Sequence, residues 1–192
     1  MLSNLSLFLV ITMMNDCDLL YLLCEGPTEV TIMNILLSND KLIFTYSDLA
    51  EFEPLHIRKA SDFERDYLNK RSGKVKIIRI LDSRNINNLA FKLSKAYSDK
   101  VEVINCVTSP EIEMLMIIAL GKYDEFSKKF KSFLKPSEYV SQILGVSNPK
   151  NAKVIMSFFS DCDVLCRAIQ EYSRVTRKAK GIHHISELLK QI

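Results

Sequence analysis

Leu19-Leu20-Tyr21-Leu22-Leu23 is an unbroken apolar run that ends at Glu25-Gly26-Pro27-Thr28-Glu29. A strand with one wet face alternates apolar and polar residues. A run that is apolar at every position is instead covered on both faces, as strands of a parallel sheet are. A second apolar strand, Val75 to Leu81, ends in Asp82, and Val101 to Val107 reads as another. Leu42 to Tyr46 reads as a short fourth strand, and Ser47 to Ala60 has no clear pattern.

Helical patterns fall between these strands. Thr28 is the expected N-cap of a helix lined by Val30, Ile32, Met33, Leu36 and Leu37 and running to about Ser38. Ser61-Asp62-Phe63-Glu64 opens another to about Lys70, Asn88 to Tyr97 a third, and Ser109-Pro110 a fourth that contains Glu111 and Glu113. Strands alternating with helices imply an α/β fold, a parallel Rossmann-like sheet of about four strands with flanking helices. From about residue 114 only helical signals remain: Pro136 to about Leu144, Asn148-Pro149 to about Phe159, Asp161 to about Lys178, and a short helix over Ile185 to Leu189. The expected organisation is an α/β domain over residues 15–120 with a helical extension over 121–192.

In an open parallel sheet, ligands bind beyond the carboxyl ends of the strands. Glu25, Asp82 and the Ser109-to-Glu113 segment all fall there, and Glu29, in the first turn of its helix, can face the same crevice. Taken singly, Glu29 could simply complement the helix dipole and Asp82 cap a turn. Four acids at one sheet edge point to a hard-cation site, since Mg²⁺ takes oxygen ligands from a few carboxylates.

Net charge is only +3, but it is unevenly spread. Residues 1–70 carry 5 basic and 11 acidic side chains, residues 71–113 carry 8 and 5, and residues 114–192 carry 13 and 7. Such asymmetry suits a protein that holds a cation in one half and a polyanion in the other, although lysine-rich solvated helix faces would look the same. Lys128, Lys129, Arg174 and Arg177 are the expected phosphate contacts, with Lys131, Lys135, Lys178 and Lys180 beside them; spaced cations of this kind neutralise phosphates without reading sequence.

The five cysteines have no paired spacing, which argues against a disulfide framework, and Cys162 and Cys166 read as buried apolar residues rather than zinc ligands. His183-His184 reads as a surface feature of a helix start. The uncharged segment Met1 to Met14 lacks the basic region and cleavage site of a signal peptide and is too short to span a bilayer. Translation is expected to begin at Met13 or Met14, the location to be cytoplasmic, and no membrane to be involved.

Leu22-Leu23-Cys24-Glu25-Gly26-Pro27-Thr28-Glu29 resembles the first motif of the Toprim domain, a strand ending in Glu-Gly and followed by a helix. The second glutamate four residues on is similar to the Toprim nucleases of the OLD and RloB-like groups of phage-defence systems. Ile80-Leu81-Asp82-Ser83 resembles the first acid of the family's Asp-x-Asp motif, and Ser109-Pro110-Glu111-Ile112-Glu113 its Asn-Pro-x-Phe-Glu segment. The likeness spans roughly residues 18–120. It implies a Toprim-like fold and a nuclease that hydrolyses phosphodiester bonds with Mg²⁺ or Mn²⁺. Glu25 would be the general acid/base, with Asp82 a second catalytic acid. Glu25, Glu29, Asp82 and Glu113 would hold metal, Ser109 and Arg84 would contact substrate, and Glu111 falls on a variable position. Arg84 stands where the family has its second aspartate. That replacement removes one carboxylate and either supplies a phosphate contact or marks a catalytically impaired module that binds nucleic acid or a partner. The resemblance also implies an antiviral defence role and a separate ATPase subunit as partner. The chain itself has no Gly-rich Lys-Ser/Thr loop.

Overall fold

The computed structural model describes residues 17–69, 71–82, 90–107, 111–176 and 181–190. The leading segment Met1 to Met14, Arg84, Ser109 and Arg177 therefore lie outside the described residues. Four strands form one all-parallel sheet: β1 (Leu19–Cys24), β2 (Leu55–His56), β3 (Val75–Leu81) and β4 (Val101–Val107), in the order β2-β1-β3-β4. The fold is α/β and Rossmann-like, as expected, with helices flanking the sheet.

β1 and β3 carry the sheet because both are buried along nearly their whole length. Their even-numbered apolar residues, Leu20, Leu22, Cys24, Ile78 and Ile80, face one core together with Ile104 and Cys106 of β4. The odd-numbered Tyr21, Leu23, Val75 and Ile77 face a second. Onto the first face packs α1 (Pro27–Ser38), followed by the later helices α3 (Met114–Ala119), α5 (Pro136–Gln142), α6 (Ala152–Phe158) and α7 (Cys162–Val175). Cys162 and Cys166 are buried in this core, as read from the sequence. The second face is covered by a thinner aromatic layer. It is built from α2 (Ala60–Phe63), which widens into a π-turn over Glu64–Leu68, and from Phe91, Leu93 and Tyr97. Tyr21 meets Phe63 edge-on with ring centroids 4.9 Å apart, and Phe63 stacks on Tyr67 at 5.5 Å. Between α3 and α5 lies α4 (Tyr123–Glu125), which widens into a π-turn over Phe126–Phe130.

Several boundaries depart from the sequence reading. The N-cap of α1 is Gly26, not Thr28: Pro27 has no N–H to lose and its fixed φ suits the first helical position. Leu42 to Tyr46 is not a strand. Leu42 forms a single bridge to Leu189, and a capping box between Thr45 and Asp48 starts a 3₁₀ turn at Tyr46, so Leu42 and Phe44 serve as isolated core anchors. The fourth strand is instead β2, within the stretch that had no pattern; two residues are too few to show a period. From Ala90 to Tyr97 the chain is irregular and then turns rather than forming a helix. Its apolar residues plug the aromatic layer, tied down by Tyr97 Oη donating to Asn69 Oδ1 at 2.6 Å and by the Ser94 N–H donating to Glu64. The segment carrying Glu111 and Glu113 precedes its helix, with Glu113 as the N-cap of α3.

His183-His184 is not a surface feature. His183 bridges to Cys106 at the end of β4, and His184, buried at 8% exposure, caps the 3₁₀ turn Ile185–Leu188. Its ring lies against Tyr172 of α7 with centroids 6.1 Å apart. The chain end is thereby tied to the sheet. Among the described residues no helix is long and apolar enough to cross a membrane.

The turn into β3 depends on Gly73, whose φ is +110° and whose absent Cβ would lie 2.6 Å from Asp18 Oδ2. Asp18 accepts the Lys74 N–H at 2.8 Å, so the carboxylate cannot move away without losing that bond. Gly73→Ala should cost about 1–3 kcal/mol of unfolding free energy, read by urea denaturation. An unchanged midpoint would contradict the packing described.

Candidate functional site

The connection leaving β1 crosses to β2 on one side, whereas the connection leaving β3 crosses to β4 on the other. Their carboxyl ends therefore flank the topological switch point, where open α/β sheets bind ligands. The register pairs Cys24 with Ile80, so the next residues, Glu25 and Leu81–Asp82, leave the sheet side by side. The Glu25 N–H donates to Ile80 O at 3.0 Å, and Glu25 Oε2 accepts the Asp82 N–H at 3.0 Å. The Glu25 carbonyl takes a 2.5 Å hydrogen bond from Arg58 Nε and lies 3.0 Å from His56 Nε2.

Glu29 is 4% exposed and folds back over the start of α1, close enough to Gly26 that a Cβ there would meet Glu29 Oε2 at 2.7 Å. Burial pushes its carboxyl above the ordinary range and Glu25 adds to the rise; hydrogen bonds from the Glu29 and Gly26 backbone and the charge of Lys150 oppose it. Glu29 thus complements the positive end of α1 while its charge reaches Asp82.

Asp82 and Glu113 are more strongly perturbed. Burial, then the charges of Glu29, Glu113 and Glu111, push Asp82 up to about 8. Burial is also the largest cause for Glu113, raised to about 7, with Glu111 and Glu29 adding to it and Lys150 opposing. Asp82 Oδ1 and Glu113 Oε1 are buried and accept no hydrogen bond among the described residues. Glu111 contributes charge at the rim and is partly spoken for, since one of its oxygens accepts the Ser137 N–H at 2.9 Å. Burying a carboxylate without a partner is costly, and placing several within electrostatic reach of each other adds to the cost.

The structure thus brings Glu25, Glu29, Asp82 and Glu113 to one end of the sheet. Their donor chemistry, all carboxylate and with orphaned oxygens on Asp82 and Glu113, suits a hard divalent cation. Among the described residues no three ligating side chains already stand as a metal cluster, so a cation would have to draw them together. The other expected contacts are placed elsewhere. Lys128 and Lys129 are exposed on the π-turn after α4, with Lys128 3.8 Å from Asp124, and Arg174 forms an ion pair with Glu171 on α7.

Two groups of residues escaped the sequence reading. Lys150, exposed on the loop before α6, is the cation whose charge reaches Glu29, Asp82 and Glu113. On the opposite side of Glu25, Arg58, Lys59, Arg79 and Lys92 line a cleft of about 500 Å³. Arg79 could have been found from the sequence, as one of two cations, with Lys76, inside a largely apolar strand. The others carry no local signal.

No family model, curated protein or solved structure matches the chain.

The raised acids make a prediction about stability. A carboxyl whose folded value lies above its unfolded value contributes stability that is full below the unfolded value and is lost as pH rises through the folded one. Asp82 and Glu113 should therefore make the cation-free protein progressively less stable between about pH 5 and pH 8.5. Tm should fall steadily across that window. Asp82→Asn should flatten the profile and raise Tm at the alkaline end. A profile in the variant as steep as in the wild type would refute the assignment.

Proposed function

We propose that this chain is a Toprim-type, divalent-metal-dependent nuclease acting on phosphodiester bonds. The observation that carries the reading is the set of buried, mutually repelling acids, Glu29, Asp82 and Glu113, at the switch point beside Glu25. A fold tolerates such a set where a positive ligand repays the cost, and strongly perturbed acids in a cleft mark functional sites. The three sequence segments that resemble Toprim motifs deliver these same four residues.

Glu29, Asp82 and Glu113 would hold Mg²⁺ or Mn²⁺. Bound there, the ion would neutralise charge on the scissile phosphate and acidify a bound water. The chain's own contribution is to hold the acids in place and to exclude water from their buried oxygens. Asp82 and Glu113, their carboxyls raised by burial, would have to give up their protons to hold the ion. Glu25, held by its bond from the Asp82 N–H, moves the proton at the attacking or leaving oxygen. Arg84 and Ser109 complete the substrate contacts in this reading, and the defence role and a separate ATPase subunit follow from the resemblance alone.

One observation favours a second reading, a catalytically impaired binding module: the described acids do not form a ready-made metal cluster. Calorimetric titration with Mn²⁺ separates the two, since an impaired module binds the ion weakly and without proton release.

The test of the main reading is incubation of the protein with DNA and RNA panels in Mg²⁺ or Mn²⁺. The wild type should cut at least one of them. Glu25→Ala should lower the rate by about 10²–10⁴-fold, the usual worth of a positioned acid/base, with the fold intact by circular dichroism. Equal rates in wild type and variant would overturn the assignment.

A further inference from the structure

The cleft of about 500 Å³ beside Glu25 is lined by Ile57, Arg58 and Lys59 after β2, by Ser61 of α2, by Arg79 of β3 and by Lys92. Four cations thus face one carboxylate. Arg79 is 5% exposed and held in position: its Nη1 donates to Asn105 Oδ1 at 3.1 Å, and its guanidinium carbon lies 4.4 Å from the centroid of the Phe91 ring. Burial pushes its pKa down and the Glu25 charge pulls it back, and it remains a cation at neutral pH. Arg58, Lys59 and Lys92 are exposed, and among the described residues neither Lys59 nor Lys92 forms an ion pair. Lysines without acidic partners beside a buried, pre-oriented arginine make an anion site: the buried cation acts in a low dielectric and the exposed ones add long-range attraction.

The volume falls within the range of about 300–1,000 Å³ typical of clefts that take a compact organic ligand. It admits one strand and not a duplex. Arg79 already covers one face of Phe91, so the cleft offers charge and little platform for base stacking. We infer that this cleft binds the sugar-phosphate backbone of a single-stranded nucleic acid independently of base sequence, and leads it past Glu25 to the acids on the far side. The inference rests on the nuclease reading for what the strand meets beyond Glu25, while the binding itself requires no metal.

The experiment is fluorescence anisotropy of the full chain with labelled single-stranded and duplex DNA and RNA of mixed sequence, in EDTA, across a salt series. Single strands should bind more tightly than duplexes. Lys59→Ala/Lys92→Ala should weaken single-strand binding at least tenfold and reduce the slope of log K against log salt by about 1.4, the share of two phosphate contacts on a single strand. Arg167→Ala/Lys190→Ala removes the same charge from elsewhere on the surface and should leave both quantities near wild type. Competition with AMP and with inorganic phosphate tests the alternative source of the same chemistry, a free phosphate ester.

Affinity and salt slope unchanged in Lys59→Ala/Lys92→Ala would overturn the inference. So would equal losses in the two double variants, a preference for duplex, or AMP binding as tightly as an oligonucleotide. Strand binding with these signatures but no cleavage in Mg²⁺ or Mn²⁺ would sink the nuclease reading and leave the cleft standing. Cleavage that is insensitive to Lys59 and Lys92 would do the reverse.

Discussion

The parallel pairing of β1 with β3 is the constraint on which everything else depends. It runs through six consecutive residue pairs, from Leu19 opposite Val75 to Cys24 opposite Ile80, and then releases both chains at the same level. Glu25 is still held to Ile80 by its backbone and to the Asp82 N–H by its side chain. A parallel ladder cannot close with a hairpin, so each strand must be followed by a crossover. The two crossovers diverge here and leave the sheet end open between them. The acids are adjacent because the register makes them so, although 57 residues of chain separate Glu25 from Asp82.

That adjacency conflicts with stability. A carboxyl raised to about 8 in Asp82, another raised to about 7 in Glu113 and a buried Glu29 are all less comfortable folded than unfolded at neutral pH. The cost is borne by the two cores beneath, where β1 and β3 are packed on both faces. Lys150 partly offsets the repulsion from an exposed loop, where its charge is screened by solvent. A site left this unbalanced by its own side chains is one in which a bound cation does the most for the fold.

The elements legible in the sequence were those with long, two-sided burial or a clear helical period. β1 and β3 stand where their apolar runs place them. β4 falls where its strand was read, although only Ile104 and Cys106 of it are buried, and α1, α5, α6 and α7 begin within a few residues of their capping or proline signals. β2 was illegible because its two residues gain their identity only from pairing with Leu23 and Cys24. The 90–97 segment misled because apolar residues at helical spacing can equally serve as plugs, and here the aromatic layer recruits Phe91, Leu93 and Tyr97 without a helix. The acids of the site were legible because strand ends are local features. The basic cleft was not, since Arg58, Lys59, Arg79 and Lys92 converge only through the sheet order.

The separation of charge about Glu25 follows from the two-residue period of the strands. In β1 the odd positions face the aromatic layer, and Glu25 continues that parity beyond Cys24. In β3 Arg79 shares the face of Ile77, while Asp82 continues the parity of Ile78 and Ile80 toward the helical layer. Cations therefore collect on Glu25's own side and acids on the other, with Glu25 reaching across to the Asp82 backbone. A one-residue slip between β1 and β3 would break this arrangement by offsetting the point at which Glu25 and Asp82 leave the sheet. Burial and mutual repulsion on the acidic side favour the protonated carboxyls, while Arg79 on the basic side keeps its charge. The same alternation that buries the core thus sets a basic cleft and a group of raised acids on opposite sides of one glutamate.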